Sequence, residues 1–164
     1  MEKAGSYKDI TAMQKKVIAV IGAGTADNEL LAIAEEVGRL IARNGAILVC
    51  GGLGGVMEAA ARGARSEGGI TVGILPGLNK SDANPYIDVP VVSGIGDMRN
   101  SIIVRTADVL IAIGGEYGTL SEIALGLKSG KNIIGIGSWD IKGIIKTDSA
   151  EDAVSRALSI AKAG

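Results

Sequence analysis

The stretch Val109–Glu122, VLIAIGGEYGTLSE, holds the pattern from which the rest of the chain can be read. Five consecutive apolar residues, Val109–Ile113, suit a strand covered on both faces. A glycine turn follows, Gly114-Gly115-Glu116-Tyr117-Gly118, and then Thr119-Leu120-Ser121-Glu122, which has the Thr-x-x-Glu form of a capping box at a helix start. The order of apolar run, turn and amphipathic segment recurs on both sides. Further strands are expected at Val17–Ile21, Ala46–Cys50, Ile70–Leu75, Val89–Val92 and Asn132–Ile136. Pro90 makes Val89–Val92 short or places it at a sheet edge.

Helices are expected between these runs. Asp27–Asn44 carries Leu30, Ala34, Val37 and Leu40/Ile41 at helical spacing and stops at Asn44-Gly45. Gly55–Ser66 is rich in Ala, and Asp97–Ala107 places Met98, Ile102 and Ile103 on one face. Thr119–Ser129 ends at Gly130, and Ala150–Lys162 follows Ser149. Gly77–Asp88 lacks periodicity and reads as a long loop. Strand–helix alternation of this kind predicts an α/β fold: a three-layer sandwich, doubly wound, with a mainly parallel sheet and helices on both faces. Residues 13–164 are expected to form one ligand-binding domain behind a flexible tail, residues 1–12, with Met13 an alternative start.

Composition removes several classes of function. The chain has 164 residues, 25 of them Gly, with one Cys, no Phe and no His. Without histidine there is no Ser-His-Asp chemistry, no His-metal site and no imidazole acid–base catalysis. A lone cysteine excludes an internal disulfide and a multi-cysteine zinc site, so no metal is expected. A formal charge of −1 gives no general attraction to nucleic acid or to an anionic membrane. Lys15 and Lys16 before Val17–Ile21 resemble a secretory signal only superficially, because the apolar run is far too short, and the protein is expected to be cytoplasmic.

Three glycine clusters each follow an expected strand and open a helix: Gly22-Ala23-Gly24, Gly51-Gly52-Leu53-Gly54-Gly55 and Gly114 through Gly118. In a parallel sheet these turns emerge together at the carboxyl edge, where such folds bind ligands and where helix N-termini offer free N–H groups to anions. The expected ligand contacts are therefore Gly22, Gly24, Gly51, Gly52, Gly54, Gly55, Gly114, Gly115 and Gly118. The dinucleotide fingerprint fails, since Asp27 holds its third glycine position and no acidic residue ends the second strand. The P-loop is absent as well.

Two charged residues stand out at this edge. Glu122 is either the second half of a capping box with Thr119 or a carboxylate beside a ligand. Arg99 lies in the first turn of a helix, where a cation is unfavourable unless it meets an anion. The alternative is a solvated arginine or an ion pair with Asp97. Arg62 and Arg65 are expected to face solvent or a neighbouring subunit, and Cys50 to be a buried structural thiol.

From about Lys16 to Lys162 the chain resembles the LOG-like group of Rossmann-type proteins, once widely labelled lysine decarboxylases. The resemblance is strongest to the short branch that includes the molybdenum cofactor carrier proteins. It rests on Gly51-Gly52-Leu53-Gly54-Gly55-Val56-Met57, on Met98-Arg99-Asn100 and on Gly114 through Glu122. In the LOG phosphoribohydrolases a Met-His-x-Arg-Lys segment precedes Pro-Gly-Gly-x-Gly-Thr-x-x-Glu, and the arginine and glutamate fall on Arg99 and Glu122. Gly114 stands for the proline, Glu116 for the second glycine and Asn100 for the lysine.

This resemblance implies a Rossmann-like sandwich holding a phosphorylated, nucleotide-like or pterin-like ligand, with no required cofactor but a bound nucleotide or molybdenum cofactor as cargo. The resemblance also implies that Arg99, Thr119 and Glu122 contact the ligand, with Gly118 and Thr119 giving N–H and hydroxyl donors; if the protein is an enzyme, Glu122 and Arg99 are its catalytic candidates for cleaving the N-glycosidic bond of a nucleoside 5′-monophosphate. Glu116 and the missing histidine favour a binder or carrier. Nothing marks a pyridoxal phosphate lysine, which argues against a lysine decarboxylase. A homo-oligomer, dimer or tetramer, is expected, with the Ala-rich Gly55–Ser66 helix as a smooth contact face.

Overall fold

The computed structural model describes residues 14–162; the expected tail and Met13 lie outside them. Seven strands form one sheet: β1 (Val17–Gly22), β2 (Ile47–Cys50), β3 (Thr71–Leu75), β4 (Val89–Val92), β5 (Val109–Ile113), β6 (Asn132–Ile136) and β7 (Ile144–Thr147). Their order is β4-β3-β2-β1-β5-β6-β7 and every pairing is parallel. The helices are α1 (Asn28–Arg43), α2 (Val56–Ser66), α3 (Asn100–Thr106), α4 (Tyr117–Lys128) and α5 (Ala150–Lys162).

The sheet divides two apolar layers by the alternation of its side chains. Ile18 and Val20 of β1 join Ala34, Val37 and Ile41 of α1, Ala60 of α2 and Ala157 of α5 on one face. Ala19 and Ile21 join Ile103 of α3 and Ile123 of α4 on the other. The three-layer, doubly wound α/β sandwich read from the sequence is the observed fold. The chain winds outward from β1 to β4, returns to β5 beside β1, and winds out again to β7. The carboxyl ends of β1 and β5 therefore flank the point where winding reverses.

Several elements differ from the sequence reading. Strand β7 was not expected: four residues, one of them Lys146, at an open edge leave too short a pattern. The helix expected over Asp97–Ala107 is a 3-10 turn, Gly96–Arg99, leading into α3. Met98 is consequently 75% exposed rather than on the apolar face. A further 3-10 turn, Lys80–Asp82, interrupts the long loop. Strand β4, with its Pro90, does lie at the sheet edge. No helix among the described residues is long and apolar enough to cross a membrane.

The small residues of α2 serve the interior of this chain. A Cβ on Gly38 of α1 would overlap the carbonyl oxygen of Ala60, and one on Gly63 of α2 would overlap that of Glu35. The face expected to meet a subunit thus packs on α1. Arg62 and Arg65, expected to face solvent or a subunit, pair with Glu35 at 2.7 Å and Asp88 at 2.8 Å. Gly38→Ala gains about 1 kcal/mol of helix propensity, but the new methyl meets backbone, which cannot swing aside. We expect a net loss of about 1–3 kcal/mol in urea denaturation; an unchanged or higher midpoint would show that the helices separate freely.

Candidate functional site

The turns after β1 and β5 enclose a cleft of about 210 Å³ at the reversal of winding. Gly22 and Gly24, Met57, Arg99, and Gly118, Thr119 and Glu122 of α4 are among the residues that line it. A Cβ at Gly22 would meet the Ile113 carbonyl oxygen and Val56 Cγ1, each at 2.6 Å, so glycine lets β1, β5 and α2 converge. At Gly24 and Gly118 an added Cβ would find nothing within 4 Å, which leaves their backbone open to an approaching molecule.

The other glycines of the three clusters lie outside this lining and hold the turns in shape. Gly51 gives its side-chain space to the Arg99 guanidinium and to Met57 Sδ. Gly52 (φ 77°) packs against β3, and Gly55 (φ 64°) against the backbone of Gly24. Gly54 is 3.6 Å, measured from its would-be Cβ, from the Gly24 oxygen. Gly114 and Gly115, at φ 55° and 114°, reverse the chain after β5 and pack on Leu30 and Thr119. That early reversal starts α4 at Tyr117, with Glu116 as N-cap. Thr119 and Glu122 are then interior helix residues, 3% and 7% exposed, and the capping box does not form. No side chain caps α4, so its first-turn N–H groups face the cleft mouth without that partner.

Arg99 is only 8% exposed, and its Nε is buried without a hydrogen-bond partner. It is neither solvated nor paired with Asp97 within 4.0 Å, and no ion pair joins it to Glu122. Burial lowers the guanidinium's affinity for its proton, while the charge of Glu122 opposes that effect. Burial also raises the Glu122 carboxyl from its ordinary 4.5 to about 7, against the pull of Arg99. Cys50 is fully buried beneath the second turn, its thiol pushed up to about 11 by desolvation, and its sulfur accepts the Gly52 N–H at 3.4 Å. Among the described residues, no group of three or more His, Cys, Asp and Glu side chains could hold a metal.

Sequence reasoning missed Met57, Asp97 and Asn100 as cleft residues. Met57 and Asn100 stood in the quoted family segments, but their direction depends on where α2 and α3 begin. That detail lies below the resolution of a periodicity argument.

A parallel sheet with its cleft at the winding reversal defines a Rossmann-type fold. Within that class the chain belongs to the SLOG cluster4 family, whose model matches residues 15–163. It is similar to the solved molybdenum cofactor binding protein of Rippkaea orientalis, at TM-score 0.86 and 37% identity over 90% of this chain and 98% of that one. The molybdenum cofactor carrier protein of Chlamydomonas reinhardtii superimposes at TM-score 0.80 and 31% identity, covering 90% of this chain and 98% of the other. A cytokinin riboside 5′-monophosphate phosphoribohydrolase of Mycobacterium tuberculosis is 39% identical over 99 residues, 58% of this chain. The match spans 52% of that protein, about half its length.

The Glu122 carboxyl makes stability depend on pH. A folded-state value of about 7 above an ordinary 4.5 means that folding favours the protonated form. Its contribution is full below pH 4.5 and is lost as pH rises through 7. Relative to Glu122→Gln, the wild-type protein should therefore lose on the order of a few kcal/mol between pH 5 and pH 8 in urea denaturation. Parallel curves for the two proteins would show that the carboxyl is not desolvated.

Proposed function

We propose that this protein binds and carries a phosphorylated, nucleotide-like or pterin-like small molecule, with the molybdenum cofactor as one such cargo. The observation that carries this reading is Arg99, a buried guanidinium lining the cleft with an unpartnered Nε. A buried donor without an acceptor costs about 1–3 kcal/mol, and more when it is charged. A phosphate offers two oxygens in a plane that matches the guanidinium fork. The uncapped first turn of α4, whose Gly118 and Thr119 line the same cleft, adds backbone donors, and a helix N-terminus attracts negative charge. The likeness to cofactor binding and carrier proteins over nine-tenths of the chain supports the same reading.

A second reading rests on Glu122. A carboxyl near pH 7 beside Thr119 in the same cleft suits stabilisation of a ribosyl cation or activation of water, as in glycoside cleavage. The likeness to a phosphoribohydrolase over part of its length supports it. Glu116 at the turn, Asn100 in place of a lysine and the absence of histidine keep the carrier as the primary reading.

Ribose 5-phosphate and nucleoside 5′-monophosphates should raise the melting temperature. Arg99→Met should weaken their binding by roughly 10- to 100-fold, the equivalent of one or two charge-assisted hydrogen bonds. No thermal shift with any phosphate ligand would remove the proposal. Release of free base by the wild-type protein, lost in Glu122→Ala with the fold intact, would replace the carrier by the hydrolase.

The proposal also takes the protein as a cytoplasmic homo-oligomer, a dimer or tetramer. The edge strand β4 exposes Val89 and Val91, and nearby Ile70 is exposed as well, apolar area that a second copy would cover. Light scattering behind size exclusion checks this, and a monomeric mass would contradict it.

A further inference from the structure

Four charged side chains line the cleft: Asp97, Arg99, Glu116 and Glu122. Asp97 and Glu116 are exposed to solvent, whereas Arg99 and Glu122 are 8% and 7% exposed. Arg99 is the anion partner proposed above, and Glu122 has no part in carrying that anion. The arginine ends the 3-10 turn before α3, and the glutamate stands in the second turn of α4. Opposite charges buried together gain most by closing on each other, yet no ion pair within 4.0 Å joins these two. The cleft that both line has a volume of about 210 Å³, several times the roughly 30 Å³ that a water molecule occupies. An oxyanion fits such a space and can meet both side chains.

We propose that Glu122 completes the anion site in its acid form: the anion enters together with a proton held on the Glu122 carboxyl, whose O–H donates to an anion oxygen beside Arg99. This rests on the anion reading of the cleft and adds a second donor and the proton that accompanies the ligand. An ionised carboxylate offers acceptors only and repels an oxyanion across a desolvated gap, whereas the acid form offers one O–H donor. A carboxyl kept neutral by burial can donate in this way. Charge counting agrees. A guanidinium and a doubly charged phosphate leave one negative charge in the cleft, and an ionised Glu122 would make it two. Of the other groups facing Glu122, the Cys50 thiol is pushed up to about 11 and stays neutral, and Asp97 and Glu116 stand in solvent. Glu122 itself changes charge at about 7 in the free protein. An arriving anion adds negative charge and offsets the pull of Arg99, and both effects hold the proton more firmly. Affinity is therefore full below about pH 7 and falls as pH rises through it, by about tenfold per unit.

The test is calorimetric titration of the full chain with inorganic sulfate and with ribose 5-phosphate, at pH 6 and pH 8, in buffers of different ionisation enthalpy. Sulfate keeps a fixed charge over this range, and neither probe carries a base that a hydrolase could release. The dependence of the heat on buffer counts the protons taken up. Wild-type protein should bind sulfate about tenfold more weakly at pH 8 than at pH 6, taking up close to one proton at pH 8 and almost none at pH 6. Glu122→Gln keeps a donor that needs no proton, so its affinity should be equal at the two pH values and about tenfold above wild type at pH 8. Glu122→Ala has no donor and should bind roughly tenfold more weakly than Glu122→Gln at pH 6. Ribose 5-phosphate gives the same comparison as the ratio of wild type to Glu122→Gln at each pH, which cancels its own titration. Wild-type sulfate affinity that is equal at the two pH values overturns the proton on Glu122. So does a sulfate pH dependence that persists in Glu122→Gln and thus belongs to Asp97 or Glu116. Glu122→Ala binding as tightly as Glu122→Gln overturns the donor. In each of these cases the anion site at Arg99 stands. If neither probe binds wild type or Glu122→Gln at either pH, the anion reading falls and takes the proton with it.

Discussion

The site depends on a cation kept in the interior. Arg99 reaches under the second glycine turn because Gly51 has no side chain, and its guanidinium occupies that space beside Met57. Taking a charge out of water is unfavourable unless something compensates, and no described side chain does so by contact. Glu122 acts on it only through space, and its own carboxyl is raised by the same burial. Two desolvated, ionisable groups thus share a cleft without neutralising each other. Near neutral pH the carboxyl is partly protonated and so faces the guanidinium with less than a full charge. An anion entering the cleft would meet a donor whose desolvation occurred on folding, so little further cost attends its binding.

The surrounding architecture holds that arrangement. Turns after β1 and β5 can face each other only because winding reverses between these strands, and Gly22 lets them converge on α2. The Val56 N–H donates to the Ala23 carbonyl at 3.1 Å, which ties the first turn to α2. Asn84 reaches from the long loop to bond Leu53 at 2.8 Å and, through its N–H, Gly52 at 2.9 Å. Behind the turns, glycine-to-backbone contact draws α1 and α2 close together. Among the clustered glycines, Gly22 and Gly55 let backbones converge, Gly51, Gly114 and Gly115 make room for side chains, and Gly24 and Gly118 open onto empty space.

This division explains what was legible in the sequence. Continuous apolar runs mark doubly covered strands, so β1, β2, β3, β5 and β6 could be read, while β7 at the open edge could not. Glycine clusters located the carboxyl edge of the sheet, beside which the cleft lies, because a β–α turn must lie at the carboxyl end of a parallel strand. They could not say which glycine faces the cleft and which faces a neighbouring turn, since either role asks for the same missing Cβ. The Thr-x-x-Glu segment was ambiguous for a similar reason. Its spacing suits a cap, but Gly114 and Gly115 turn the chain early and carry both residues into the helix. Met98 failed because a 3-10 turn has three residues per turn, so a 3.6 period places its side chains wrongly.

Placing Arg99 at the end of that 3-10 turn also has a chemical consequence. A longer α-helix would rotate residue 99 relative to Ile103 and set its side chain by helical spacing alone. The tighter turn instead leaves Met98 in water and sends Arg99 inward, toward the gap at Gly51. Departure from regular helix and absence of a Cβ are thus two halves of one device. Either half alone would leave the guanidinium exposed or colliding with a side chain at position 51. An arginine at this position consequently means something different from the solvated arginines of α1 and α2. Those pair with carboxylates at the surface, where screening makes each pair worth little. Arg99 has no such partner, and under the proposed reading an anion delivered from solution would offset the cost of its burial.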